Sequence, residues 1–248
     1  MFAPFDPAHD TDVASAIERL RASLAHTGQL ETERVQIPGT RTLVEITRPI
    51  DTNRLLDQVV DDPEQNLPYW SEIWPSGIAL AGDIIHHPDR VHGKRVIELG
   101  TGVGITAAVA IAHGAELTVI DYAEEALTLT RMTCLRHAGA EPADARRVNW
   151  RLPDVAALVK HGHFDVVLAA DALYERRDIE PLIVAVETLV ASDGAVWLAE
   201  PGRKPAEVFL SGMAARGWTG PSTQWNGPWP DPKDAGIDVR THWLQRET

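Results

Sequence analysis

Cysteine is nearly missing from this chain: Cys134 is the only one in 248 residues. That excludes an intrachain disulfide and a cysteine-built metal centre. Basic runs are missing too. Lys and Arg total 23 against 36 Asp and Glu, a formal net charge of -13. No cationic cluster supplies the face that a nucleic-acid partner requires. No apolar run approaches the length of a membrane span. Met1–Asp6 has neither the basic start nor the apolar core of a secretory leader. His86-His87 and His161-x-His163 have no carboxylate or cysteine at ligand spacing, so no metal is expected there. There is no internal repeat and no low-complexity tract. These absences leave a soluble cytoplasmic protein without nucleic-acid or membrane partners as the expectation. They say nothing about oligomeric state.

What is present is an alternation of helical and extended patterns. The length suits one α/β domain with a small extension. Asp12–Ala25 places Val13, Ile17, Leu20 and Leu24 at helical spacing, with Thr11 or Asp12 as cap. Arg34–Ile37 and Thr42–Ile46 flank Pro38-Gly39 and predict a hairpin. Residues 1–68 are therefore expected to form a helix-and-hairpin extension, and residues 69–248 the main domain. From Lys94 onward strands are expected at Arg95–Leu99, Leu117–Ile120, Arg146–Trp150, Phe164–Ala169, Ala195–Ala199, Gly217–Gln224 and Val239–Gln245. Helices are expected around Ile78–Ile85, Gly104–His113, Ala123–Ala138, Val155–Lys160, Asp178–Ala191 and Pro205–Arg216. This order predicts a doubly wound, mostly parallel, Rossmann-like seven-stranded sheet. The stretch Trp225–Pro232 is a turn-rich loop rather than a helix, so the last strand should enter antiparallel.

Glu98-Leu99-Gly100-Thr101-Gly102-Val103-Gly104 lies between the first of these strands and a helical segment. Strand, glycine turn and helix form a nucleotide-binding crossover. The glycines admit a ligand where a side chain would collide. A dinucleotide fingerprint would want a third small residue at position 105, which is Ile105. Glu98 stands where a cationic amino group would be held, not a pyrophosphate. S-adenosyl-L-methionine (SAM) is therefore the expected cofactor. The bland alternative is that Gly100, Gly102 and Gly104 only make a tight turn. Asp121 ends the next strand, placed either to take two ribose hydroxyls or to cap the following helix. Asn149 and Trp150 end the third strand, where adenine should lie, although Trp150 suits the core equally. Asp171-Ala172-Leu173-Tyr174 follows the fourth strand. Strand ends carry ligands in such sheets, so Asp171 and Tyr174 should face the transferred methyl, anchoring and orienting an amine. The alternative for this pair is a cap and a core residue. Trp70 and Trp74 stand in a Pro-flanked stretch, Leu67–Gly77, that reads as a lid over the methionine end of SAM or as ordinary packing.

Three weaker features complete the reading. Cys134 suits packing. Trp225, Trp229 and Trp243 suit either a cleft or the packing of the last strands. Glu200 ends the fifth strand near the cleft rim.

On these motifs the chain, from about Leu67 onward, resembles the seven-β-strand class I SAM-dependent methyltransferases. The Leu67–Gly77 segment and Asp171-x-x-Tyr174 are similar to the lysine methyltransferase group that includes the electron-transfer-flavoprotein β-subunit enzymes and bacterial relatives. The resemblance implies N-methylation of a protein lysine, with Asp171 and Tyr174 at the substrate amine. Three rival expectations are a small-molecule N- or O-methyltransferase, a nicotinamide-dependent oxidoreductase and a SAM-binding protein without activity.

Overall fold

The computed structural model describes residues 7–56 and 67–247. The stretch Met1–Asp6 lies outside them. The chain opens with helix α1 (Pro7–Ser23), the hairpin β1 (Leu30–Gln36) and β2 (Leu43–Pro49), and the short helix α2 (Thr52–Leu56). Helix α1 begins at Pro7, earlier than a cap at Thr11 or Asp12 would have it. Proline is favoured in a first helical turn, where its missing N–H costs nothing. The hairpin is antiparallel, pairing Leu30 with Pro49 and Gln36 with Leu43.

Helix α3 (Pro75–His86) leads into the main sheet, followed by β3 (Arg95–Leu99), α4 (Ile105–Ala112), β4 (Glu116–Asp121), α5 (Glu124–Ala138), β5 (Asp144–Arg147) and β6 (Phe164–Ala170). The chain continues through α6 (Ile179–Leu189), β7 (Val190–Glu200), α7 (Lys204–Ala214), β8 (Trp218–Thr219), β9 (Ser222–Trp225) and β10 (Val239–Arg246). The strand order is β5-β4-β3-β6-β7-β10-β8, with β9 also on β10. The first five are parallel and β10 is antiparallel to β7. This is the expected doubly wound, Rossmann-like sheet with its last strand reversed. Buried apolar side chains pack on both faces, as a parallel sheet between helices requires.

Three expectations need correction. The third core strand ends at Arg147, so Asn149 and Trp150 lie beyond it rather than at its end. Asn149 Oδ1 accepts from the Arg151 amide at 3.0 Å, an Asx turn that diverts the chain. The expected strand Gly217–Gln224 is split into β8 and β9, because Pro221 between them offers no amide to a ladder. The segment around Val155 is a 3-10 helix, Pro153–Val159, rather than an α-helix.

The N-terminal hairpin packs onto the outside of the main unit. Val35, Ile37, Val44 and Ile46 are fully buried in one cluster with Leu129 and Met132 of α5. Arg136 of α5 pairs with Glu45 at 3.5 Å and donates to the Thr47 hydroxyl. Among the described residues no helix is long and apolar enough to cross a membrane.

Candidate active site

The strand order reverses between β3 and β6, and a crevice opens beyond their carboxyl ends. Its floor is the turn after β3. Gly100 has φ 74° and Gly104 φ 83°, both in the left-handed region. The two positions differ in what surrounds them. A Cβ on Gly104 would lie 2.6 Å from Thr130 Cα, whereas a Cβ on Gly100 would meet nothing within 4 Å. Gly104 is required by packing; Gly100 keeps space open. Threonines on α5 hold the turn from behind. Thr130 donates to the Gly102 carbonyl at 3.1 Å and Thr133 to that of Val103 at 2.8 Å.

Glu98 closes the bottom of the crevice. It is buried and accepts from Thr101 Oγ1 at 2.9 Å. Burial pushes its pKa up to about 8 against the pull of the Thr101 and Thr106 hydroxyls, and nearby Asp121 adds to the rise. A cation placed beside Glu98 would restore its charge.

Asp121 is likewise buried. Its Oδ2 accepts from the Gly102 amide at 3.1 Å and its Oδ1 from the Ala123 amide at 3.0 Å. Burial raises its pKa to about 6, with these amides pulling down and Glu125 pushing up. Ala123, not Asp121, occupies the cap position of α5. The carboxylate therefore ties the glycine turn to the end of β4, and it borders the crevice with acceptor capacity left over.

Three neighbouring cavities share Trp74 as a wall. One, enclosing about 610 Å³ of space that opens to solvent, meets Gly100, Gly102, Asp121, Asn149, Trp150 and Asp171. The second lies beside Glu98, Gly104 and Thr106. The third is bounded by Tyr69, Trp74, Asp171, Tyr174 and Arg203. All nine sequence-selected cofactor residues thus border the first two of these adjoining cavities, and Asp171 and Tyr174 border the first and the third. Trp70 sits over the floor, its carbonyl 3.5 Å from where a Gly102 Cβ would be. Trp74 donates its indole N–H to the Tyr69 carbonyl at 2.9 Å, which fixes the lid segment on itself.

At the outer end, Asp171 has φ 54°, the one non-glycine residue in the left-handed region among those described. Its amide donates to the Ala199 carbonyl at 3.0 Å. This conformation costs about 1–2 kcal/mol for most residues, less for Asp, and such strain gathers at functional sites. Its carboxylate accepts from Ser76 Oγ at 3.0 Å through Oδ2 and forms an ion pair with Arg203 through Oδ1. The Arg203 guanidinium also lies 5.8 Å from the Trp74 ring centre. Tyr69 packs edge-on against Tyr174 at 5.1 Å and against Trp74 at 5.9 Å. Burial pushes the Tyr174 hydroxyl up to about 12, with Asp178, Glu175 and Asp121 adding to the rise and Arg151 opposing it, so the hydroxyl remains a donor.

Sequence reasoning missed Ser76, Arg203, Tyr69 and Arg151. Arg151 borders the same cavity as Asp121 and Asn149 and pairs with buried Asp178 at 3.4 Å. Ser76 stands inside the Pro75-Ser76-Gly77 signal for a helix start; Arg203 carries no local signal at all. Other candidates lie elsewhere. Trp225 stacks on His86 at 5.5 Å, and Trp243 packs edge-on against Trp197 at 5.0 Å, so both serve packing. Trp229 donates to the Ile237 carbonyl at 2.8 Å within its own loop. Glu200 accepts from the Gly202 amide at 2.5 Å and contacts His242 at 3.3 Å, which turns it away from the crevice.

A doubly wound sheet with a glycine crossover, an acidic floor and an acid at the end of β4 defines a fold of the Rossmann-like, nucleotide-binding type. Residues 63–215 match the lysine methyltransferase family, and the chain belongs to that family. It is 27% identical over 137 residues to the electron transfer flavoprotein beta subunit lysine methyltransferase of Rattus norvegicus, covering 55% of this chain and 51% of that one. It is 33% identical over 128 residues to the ubiquinone biosynthesis O-methyltransferase of Azotobacter vinelandii, covering 51% and 52%. The chain spans about half the length of these curated relatives. The fold is shared with the N-methyltransferase NodS of Bradyrhizobium japonicum, at a TM-score of 0.50 and 14% identity over 68% of this chain and 94% of that one.

Proposed function

We propose that this chain is a SAM-dependent N-methyltransferase whose acceptor is a lysine of a protein. The observation that carries the reading is the placement of Trp74, with buried Glu98 on one side and the Asp171–Tyr174 end on the other. The donor side fits the cofactor. Glu98 is a buried carboxyl that gains from a cation, matching the methionine ammonium. The open space at Gly100 admits the ligand backbone. Asp121 takes the ribose hydroxyls, and Asn149 and Trp150 border the adenine end. When bound, SAM supplies a methyl on a sulfonium, a good leaving group for in-line displacement.

The chain's own task is alignment and dryness. Tyr69, Trp74 and Tyr174 form an aromatic collar around the acceptor position. Asp171, held by Ser76 and Arg203, keeps lone pairs with which to accept an amine N–H and aim the nitrogen at the methyl. The Tyr174 hydroxyl and ring fix the other side. The proton lost by the amine leaves to solvent. Residues 1–68 act as an extension supporting the lid, and the net charge of -13 favours a protein acceptor over nucleic acid in a cytoplasmic setting.

Incubation with isotopically labelled SAM and a cell lysate, followed by mass spectrometry, tests this reading. Methyl label on a lysine of a protein is the expected outcome. Label only in the small-molecule fraction favours the second reading, a small-molecule methyltransferase, which the similarity to an O-methyltransferase supports.

A further inference from the structure

Asp171, the carboxylate that lines the acceptor cavity among the described residues, already has a partner, and so do four others that face Tyr174 or border the crevice. Asp171 is paired with Arg203, Asp178 with Arg151 at 3.4 Å and Glu175 with Arg177 at 2.8 Å. Glu72 of the lid is paired with Arg48 at 3.0 Å, and both oxygens of Asp121 accept backbone amides. Asp234 and Tyr69 face the Arg203 guanidinium from the loop before β10 and from the lid. An ammonium entering this cavity meets an aromatic collar, but no carboxylate that lacks a partner among those just named. It also meets a fixed guanidinium, with Arg203 35% exposed and its partner Asp171 only 6%.

We propose that Arg203 is a positioning residue that holds the Asp171 charge and so makes the cavity select the uncharged form of the acceptor amine. The inference rests on the reading of this cavity as the acceptor site. Methyl transfer needs the nitrogen lone pair, and a lysine amine in water is almost wholly protonated near neutral pH. A naked carboxylate would bind the ammonium and hold it unreactive. With Arg203 in place, the Asp171 carboxylate offers hydrogen-bond acceptance but little net attraction for a cation, and the guanidinium repels one. The deprotonation needed for attack is then accomplished on entry, with the proton released to water. No side chain has to act as the base.

The test uses n-butylamine as a stand-in for the end of a lysine side chain. Its binding to the protein saturated with S-adenosylhomocysteine is followed by calorimetry at about pH 8, in buffers of differing ionisation enthalpy. The wild type should release about one proton per amine bound, since the free amine is charged at that pH and the bound one is not. Arg203→Gln should bind the amine with little proton release. Arg203→Lys, which keeps the charge, should restore most of it. Binding by the wild type without proton release overturns the proposal. So does binding only when Arg203 is removed, which would make Arg203 a plug. Proton release unchanged in Arg203→Gln also overturns it. Failure of S-adenosylhomocysteine itself to bind strikes instead at the proposed function.

Discussion

Glu98 makes the pH dependence of this protein a residue-scale question. Its folded pKa of about 8 lies above its ordinary value of 4.5. Between those values the folded protein keeps a proton that the unfolded chain has lost, so the stability of the ligand-free protein falls as pH rises across that window. A cationic ligand inverts the trend, because pairing drives the proton off. SAM affinity should therefore rise with pH, by at most about tenfold per unit, and level off near the Glu98 value. Glu98→Gln should flatten that dependence in a titration series; a slope that survives the substitution assigns it to another group. Asp121 is doubly employed. Asp121→Ala should weaken SAM binding by roughly 1.5–3 kcal/mol for a lost charge-assisted bond. It should also lower unfolding stability by roughly 1–3 kcal/mol, because the Gly102 and Ala123 amides lose their acceptor. Loss of stability alone, measured by denaturation beside calorimetry, reduces Asp121 to a structural anchor. Glu98 and Asp121 were legible in the sequence because each abuts a strand end and a turn. Arg203 was not. It lies 32 residues beyond Asp171, on a different loop, and only the sheet order β6-β7 brings the two together.

At the scale of elements, the β3–α4 crossover separates two roles for glycine. Gly104→Ala must place a Cβ 2.6 Å from Thr130 Cα on the helix behind. The left-handed conformation adds about 1–2 kcal/mol, so this variant should be strongly destabilised or fail to fold. Gly100→Ala meets no protein atom and should fold at a cost of about 1–2 kcal/mol. Its methyl projects into the space proposed for the ligand, so SAM binding should fall by far more than stability does. Melting curves with and without SAM distinguish the two; equal behaviour of the variants would mean that the turn has one role only. The existence and order of these elements were readable from apolar periodicity. Their ends were less so, because they depend on single hydrogen bonds. The Asn149 side chain ends β5 earlier than the apolar alternation through Val148 suggests. Val190 enters β7 directly from α6, where Ser192, Asp193 and Gly194 imply a loop.

The whole molecule is organised so that the N-terminal hairpin bears on the crevice. Arg48 of β2 bonds Glu33 at 2.7 Å and Glu31 at 3.1 Å on its own hairpin, then reaches Glu72 at 3.0 Å on the lid segment. Glu72 in turn borders the cavity beside Glu98. The hairpin is thus a strap fastened at two places, on α5 by an apolar face with the Arg136–Glu45 pair beside it and at the lid by an ionic contact. The two fastenings have different magnitudes. Val35, Ile37, Val44 and Ile46 each bury a side chain worth about 1.5–3 kcal/mol, whereas a partly exposed ion pair contributes about 1 kcal/mol or less. Removing residues 1–66 should therefore expose the α5 face and give a protein that aggregates or melts far below the parent. A fragment that folds with unchanged stability would make the extension an independent unit. Arg48→Met should behave otherwise. It cuts only the ionic fastening, so global stability should drop by no more than about 1 kcal/mol. The lid should open more often: amide exchange across Tyr69–Trp74 should quicken, and the gap between parent and variant should narrow as salt screens the parent's pairs. SAM affinity should fall in step with that exchange, since a looser lid must be ordered again on binding. Quickened exchange with unchanged affinity would mean that Trp70 and Trp74 pack beside the crevice without closing it.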